Sequence, residues 1–169
     1  MESQCGKLLI NLFNAPNALS GLSTSESITS RACCRLMARS MFEALKVFRA
    51  NGMTMRPFFV MIAPYIFAYL AFINPWLRVV VFVLNLVGVR MGDDAHSSMW
   101  QDLQRGGTTE IDYLNGVVVA MGKKAGIPTP INSAVVVMVK EVEGKVFTGL
   151  DEKALLQLSA ATDLKSTRA

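Results

Sequence analysis

The sequence contains one histidine, His96, and three cysteines, two of them adjacent, so no group of residues has the spacing of a zinc site. It also contains no P-loop, and no Gly-x-Gly-x-x-Gly follows a strand-like run. We therefore expect no metal centre and no dinucleotide site built by this chain alone.

Unpaired thiols suit a reducing compartment, and the N-terminus has no basic region before its short apolar run. We expect a cytoplasmic protein without a signal peptide.

Strong charge is also missing. The chain has 17 basic and 13 acidic residues, a net charge of +4, and 51% hydrophobic residues, which is the composition of a folded domain. This mild basicity is compatible with an anionic small molecule, a nucleic acid or a membrane surface, and it selects none of them. Arg31, Arg35 and Arg39 share one helix face, but no aromatic residue is interleaved with them. We expect a solvated face and no nucleic-acid partner.

One apolar run raises the question of a membrane. The stretch from Pro57 to Leu77 carries no charge and is long enough to cross a bilayer, and the run from Val79 to Val89 follows it. Pro64 and Pro75 interrupt the first run, which favours short buried helices. A membrane-associated hairpin through Pro57–Val89 and an apolar docking surface for another domain or subunit are the alternatives.

The remaining pattern is helical throughout and predicts one all-α domain. A long helix is expected to begin near Ser25 or Ser27 and to stop at Gly52. The stretch "TTEIDYLNGVVVAMGKKAG" predicts one helix that ends at Gly126. Thr129 is a predicted cap for the next helix, and "GLDEKALLQLS" is a last short helix. The apolar stripe of the helix before Gly126 contains Ile111, Leu114, Val118 and Met121.

The first helical stretch, "GKLLINLFNAPNAL", carries a group of polar side chains. Lys7, Asn11 and Asn14 lie at i, i+4 and i+7 and fall within a narrow arc of an otherwise apolar helix. They form a polar site inside a core, or Lys7 extends to solvent and the asparagines face water. Pro16 interrupts the helix downstream of all three, which argues against a role for Asn17.

A second polar group lies in "SSMWQDLQRGGTTEID", where two helix starts follow each other. Ser97 or Ser98 can cap the first helix, and Ser98 with Gln101 fits a capping box. Thr109 can cap the second, which places Glu110 in its first turn, where a negative charge is stabilised. Capping alone explains most of this stretch.

The segment "SSMWQDLQRGGTTEIDYLNGVVVAMGKKAGIPTPIN" resembles the C-terminal domain of the ketopantoate reductases (2-dehydropantoate 2-reductases), and "GKLLINLFNA" resembles the start of that domain. The resemblance covers Gly6 to Gly144. It implies an all-α helical bundle of the kind found in the C-terminal domain of 6-phosphogluconate dehydrogenase. We expect an N-terminal remnant (1–6), a helical domain (7–146) with an apolar connecting block (57–90), and a C-terminal short helix with a polar tail (147–169).

The resemblance also implies an activity and a set of residues. The family reduces the ketone of ketopantoate with hydride from NADPH, giving pantoate for pantothenate and coenzyme A synthesis. Lys7 matches the catalytic lysine that protonates the carbonyl oxygen, and burial of its ammonium is expected. Asn11, Asn14 and Ser98 match substrate-binding residues, with Ser98 at the carboxylate. Glu110 matches a glutamate that contacts the ribose side of the cofactor and helps to organise the lysine.

The sequence departs from the family in one large respect, because the family carries an N-terminal Rossmann domain and this chain begins almost at the matched lysine. We expect a fragment with little or no reductase activity alone, and a Rossmann-type half or a second copy as its partner. Two alternatives remain open: a non-enzymatic oligomerisation or partner-binding module, and a membrane-associated protein.

Overall fold

The structure, a computed structural model, describes residues 2–53, Tyr65 and residues 95–161. These residues form α-helices and one 3₁₀ helix and contain no strand, which confirms the all-α prediction. The α-helices are α1 (Glu2–Asn11), α2 (Asn14–Ser20), α3 (Thr24–Thr29), α4 (Arg31–Ala50), α5 (Ser98–Gln104), α6 (Asn115–Ala125), α7 (Pro130–Val142) and α8 (Glu152–Ser159). The 3₁₀ helix is Ile111–Tyr113, between α5 and α6.

The apolar block 57–90, with the suggested membrane hairpin Pro57–Val89, lies outside the described residues. Within 2–53, Tyr65 and 95–161, no helix is both long enough and apolar enough to cross a membrane.

The first helical stretch is two helices. Helix α1 ends at Asn11, and a two-residue turn leads into α2, which begins at Asn14. Pro16 lies in the first turn of α2, where a backbone N–H has no partner within the helix, so proline is tolerated there. The prediction that the break falls at Pro16 is therefore wrong by several residues. As a result, Asn14 lies on a different helix from Lys7.

The long helix predicted from residue 25 or 27 is also two helices, because serine side chains cap the backbone at two other points. The Ser23 hydroxyl accepts a bond from the Glu26 N–H, and the Glu26 carboxylate accepts one from the Ser23 N–H, which begins α3. Ser30 is extended, and its hydroxyl accepts a bond from the Cys33 N–H to begin α4. The predicted stop at Gly52 is confirmed, since α4 ends two residues before it and Gly52 has a φ of +67°.

Helix α4 is the centre of the core and contributes to two apolar clusters. Its first half packs with α2, α5, α7 and α8 around Leu36, and its second half packs with α1 and α6 around Phe48. Burial raises the pKa of the Cys33 thiol to about 11 and that of the Cys34 thiol to about 12. On the outer face of α4, Arg31 and Arg35 are exposed and Arg39 is half-buried, so the predicted solvated face is found at two of the three arginines.

A buried carboxylate connects α4 to the start of α7. Glu43 is 8% exposed, and one of its oxygens accepts a bond from the Ile131 N–H at 2.8 Å. The other accepts bonds from the Asn132 N–H at 2.9 Å and the Asn132 amide at 2.7 Å. Glu43 therefore supplies the acceptors that the first turn of α7 lacks within the helix. Thr129, the predicted cap, makes no side-chain cap bond there.

Two buried amides extend this polar group to α6. The Asn115 amide donates to the Asn132 side-chain oxygen at 2.9 Å and to the Ser40 hydroxyl at 3.3 Å. The Ser40 hydroxyl in turn donates to the same Asn132 oxygen at 2.8 Å. Asn115 and Asn132 both belong to the motif that resembles the ketopantoate reductases. In this structure they join three helices in the core.

Two glycines allow the segment before α8 to pack directly on the end of α2. Gly21 has a φ of +66°, and a Cβ added there would lie 2.3 Å from the Thr148 carbonyl oxygen. A Cβ on Gly149 would lie 2.4 Å from the Ser20 carbonyl oxygen. Such a separation is shorter than any real contact, so both positions require glycine.

Candidate functional site

A narrow pocket lies where α2, α5 and the segment around the 3₁₀ helix meet. In this structure it is too narrow to hold a water-sized molecule. Its lining is Asn14, Ser98, Met99, Asp102, Glu110 and Leu114. Three of the five side chains proposed from the family resemblance thus lie at one place, although almost a hundred residues separate the first from the last.

Ser98 is the first residue of α5 and is exposed. The cap of α5 is Ser97, whose hydroxyl accepts a bond from the Trp100 N–H at 3.3 Å. The capping box expected of Ser98 and Gln101 is therefore not formed, and the Ser98 hydroxyl is not used in capping. Asp102 follows Ser98 by four residues and lies on the same face of α5, which adds a carboxylate to the pocket.

Glu110 is held at the pocket by the residue before it. The Thr109 N–H and hydroxyl donate to one oxygen of Glu143 at 2.8 and 2.7 Å, at the end of α7. The Thr109 hydroxyl also accepts a bond from the Ile111 N–H at 3.3 Å. The single helix predicted from here to Gly126 is wrong at its start, because a 3₁₀ helix comes first and α6 begins only at Asn115.

The structure does not bring Lys7 into the pocket. Lys7 is exposed on α1, so the expected burial of its ammonium is absent. Asn11 is half-buried on the same helix, and neither residue contributes to the pocket lining in the described part of the chain. Lys7 and Glu110, both of them described, make no ion pair with each other, whereas Lys140 and Asp112 do.

Sequence reasoning missed two residues around the pocket and argued against a third. Asp102 had a usable signal, because it follows Ser98 at helical spacing. Glu143 had none, since its contact with Thr109 joins distant parts of the chain. Asn17 is fully buried and accepts a bond from the Ser97 N–H at 3.0 Å. An amide among the apolar residues of "APNAL" was its only signal.

The residues that line the pocket include two with donor groups, Ser98 and Asn14, and two carboxylates, Asp102 and Glu110. Donors of this kind bind a carboxylate or a keto oxygen. Two carboxylates repel a diphosphate, and no strand precedes a helix in the described parts of the chain. The residues present therefore do not fit the phosphates of NADPH, and Glu110 fits at most a ribose hydroxyl. Among residues 2–53, 65 and 95–161, no group of His, Cys, Asp and Glu side chains could hold a metal ion.

Comparison with known proteins identifies relatives of this arrangement. The family model described as "Ketopantoate reductase PanE/ApbA C terminal" matches residues 1–143. A 2-dehydropantoate 2-reductase from Archaeoglobus fulgidus is 40% identical over 53 residues, which are 31% of this chain and 18% of that protein. A 2-dehydropantoate 2-reductase from Vibrio cholerae is 47% identical over 47 residues, which are 28% of this chain and 16% of that protein. The matched segments thus span less than a fifth of these relatives.

A solved structure has the same fold over a longer stretch. The crystal structure of a PanE/ApbA family ketopantoate reductase from Ralstonia eutropha JMP134 matches with a TM-score of 0.62 and 28% sequence identity. The match covers 84% of this chain and 41% of that chain.

Proposed function

Because this chain belongs to the ketopantoate reductase family through its C-terminal helical domain, we propose that it is the substrate-binding part of an NADPH-dependent 2-dehydropantoate 2-reductase, which converts ketopantoate to pantoate. The observation that carries the proposal is that Asn14, Ser98 and Glu110 meet at one narrow pocket, which must widen to admit a substrate. Three buried, unpaired thiols suit the reducing cytoplasm that we propose as its location.

The pocket's donors match the polar atoms of a 2-keto acid. The Ser98 hydroxyl is free of capping and binds the substrate carboxylate, and the Asn14 amide donates to a second oxygen. Asp102 and Glu110 leave the pocket short of positive charge, so an anionic substrate needs a cation nearby. Lys7, on α1 and seven residues before the start of α2, is our candidate for that cation, with Asn11 one helical turn after it.

In this proposal Lys7, which is exposed in the chain alone, turns towards the pocket when substrate binds. Its ammonium then gives one proton to the former ketone oxygen, and Glu110 stabilises the charged lysine. NADPH supplies the hydride in the family's reaction. Since the described residues do not fit its phosphates, we propose that a Rossmann-type half binds the dinucleotide, and we assign no hydride-transfer step to this chain.

The test mixes the purified chain with NADPH and ketopantoate and follows the absorbance of the reduced nicotinamide. We expect no turnover by the chain alone, and turnover when a separately made Rossmann half of a relative is added. Lys7→Ala should lower kcat by about 10²–10⁴-fold, the usual contribution of a positioned proton donor. Lys46→Ala, at an exposed lysine of α4, is the matched control and should leave kcat unchanged.

The outcomes separate the parts of the proposal. Turnover by the chain alone would show that it binds the dinucleotide itself. Turnover of the mixture that survives Lys7→Ala would remove the proton-donor role. A mixture that binds neither ketopantoate nor the Rossmann half would contradict the proposed function as a whole.

A second candidate function is an oligomerising module, and an apolar groove on α6 and α7 favours it. The groove is lined mainly by Val119, Ile127, Pro130, Val137 and Met138, with Val137 being 56% exposed. Lys123 and Glu141 lie at its rim, so a twofold-related second copy would pair each with the other. The occupant we propose is therefore a second copy of this chain.

Sedimentation equilibrium tests this second candidate. We expect a dimer that Val137→Asp converts to a monomer. Val146→Asp is the control, because Val146 is fully exposed and outside the groove, and it should leave the dimer intact. A monomeric wild-type chain at high concentration would exclude the module.

A further inference from the structure

Asn17 is a fully buried amide whose side-chain polar atoms are all hydrogen-bonded. Its Nδ2 donates to the Ser27 hydroxyl at 2.7 Å and to the Leu22 carbonyl at 3.0 Å. Its Oδ1 accepts a bond from the Ser97 N–H at 3.0 Å. A buried amide is costly unless it is bonded in this way. Asn17 therefore connects α2, the region of α3 and the residue that caps α5.

Ser97 has a second bond to α2. Its hydroxyl donates to the Asn14 carbonyl at 3.2 Å while accepting the bond from the Trp100 N–H that caps α5. The two bonds from Ser97 end on Asn14 and Asn17, three residues apart and on the same side of α2. The start of α5 is thus held to α2 at two points.

These two bonds connect residues that line the pocket or lie next to its lining. Asn14 is one of the two residues of α2 that receive them, and Ser98 follows Ser97 directly and begins α5. Both Asn14 and Ser98 line the pocket, whereas Asn17 is not part of that lining. The bond from the Ser97 N–H connects Asn17 to the residue that directly precedes Ser98.

We propose that Asn17 is a positioning residue that sets the separation between the Asn14 amide and the Ser98 hydroxyl, and with it the affinity of the pocket for a 2-keto acid. This inference rests on the proposed function. A purely structural Asn17 would support folding and leave the affinity of the folded protein unchanged, so the two roles differ in a measurable way.

The experiment measures the dissociation constant of ketopantoate by NMR titration of the full chain, alone and with the Rossmann half and NADP⁺. Asn17→Ala removes the acceptor of the Ser97 N–H and should weaken binding by about tenfold, because the Ser98 hydroxyl is then less well ordered before the ligand binds. Asn17→Asp keeps that acceptor but loses the two bonds donated by Nδ2, so it should lower the free energy of unfolding while the folded chain binds within about threefold of the wild type. If Asn17→Ala does not fold, Asn17→Ser replaces it, because its shorter side chain also loses the bond to Ser97.

The control is Asn115→Ala, which removes an equally buried amide outside the pocket. It should reduce the free energy of unfolding and leave the dissociation constant unchanged under conditions where the variant is folded. Equal affinities of Asn17→Ala and wild type would overturn the inference, as would an Asn115→Ala chain that binds as weakly as Asn17→Ala. A wild-type chain that binds ketopantoate under neither condition would instead overturn the proposed function, and the inference with it.

Discussion

Removing the carboxylate of Glu43 should destabilise the fold more than any single surface change. Three donors would lose their acceptor in Glu43→Ala: the Ile131 N–H, the Asn132 N–H and the Asn132 amide. Each buried donor left unpaired costs about 1–3 kcal/mol, so we expect a loss of about 3–6 kcal/mol after relaxation. A whole domain of this size is stable by only about 5–15 kcal/mol.

The assay is urea unfolding followed by circular dichroism at neutral pH, with Glu141→Ala as the matched control. Glu141 is an exposed glutamate on α7, and its replacement should change the free energy of unfolding by no more than about 0.5 kcal/mol. Should Glu43→Ala lie within about 1 kcal/mol of the control, the role of Glu43 as the partner of the α7 start would be refuted.

The same residue predicts a dependence on pH. Burial raises the pKa of Glu43 above its ordinary value of 4.5, in spite of the bonds that it accepts. The folded chain then binds a proton at pH values where the unfolded chain does not. Lowering the pH from neutral towards 4.5 should therefore increase the free energy of unfolding of the wild type relative to Glu43→Gln. A constant difference between the two across this range would contradict the assignment.

Three further predictions concern other positions. The bonds from Ser23 lower the pKa of Glu26, so the Glu26 carboxylate stabilises the fold at pH values above the ordinary glutamate pKa. This stabilisation is lost as the pH falls through the lowered pKa of the folded chain, and Glu26→Gln should remove that pH dependence in urea titrations. Gly21→Ala should lower the Tm, because its Cβ would meet a carbonyl oxygen at 2.3 Å, and an unchanged Tm would contradict the close approach. Glu143→Ala should speed hydrogen exchange of the Thr109 amide, whereas unchanged exchange would show that the contact is dispensable.

Local sequence patterns predicted the helices well where a single cap or stop was available. Gly52 and Gly126 both adopt the left-handed conformation at or just beyond the ends of α4 and α6, as their predicted stops require. Pro130 is the first residue of α7, where its missing N–H has no helical partner to lose. Where several serines compete, the pattern could not select among them. Ser97 caps α5 in place of Ser98, and Ser30 divides what reads as one long helix.

The candidate site could be predicted only in part, because its geometry depends on contacts between distant residues. The family motif pointed to Ser98 and Glu110, and the structure places both beside Asn14. The bonds that hold them, from the Ser97 N–H to Asn17 and from the Thr109 N–H to Glu143, cross 80 and 34 residues of sequence. Helical periodicity carries no information about such pairs. Asn115 and Asn132 illustrate the reverse, since residues of the same motif prove to join helices in the core.

The two adjacent thiols of α4 give the protein a chemical reporter of its own opening. A thiol reacts with an alkylating agent only as the thiolate, and burial holds the pKa of Cys33 at about 11 and that of Cys34 at about 12. Both are therefore inert at neutral pH as long as α4 stays packed. When α4 separates from its neighbours, both thiols return to ordinary reactivity together. The rate of double alkylation thus measures how often the centre of the domain opens, without any label being introduced.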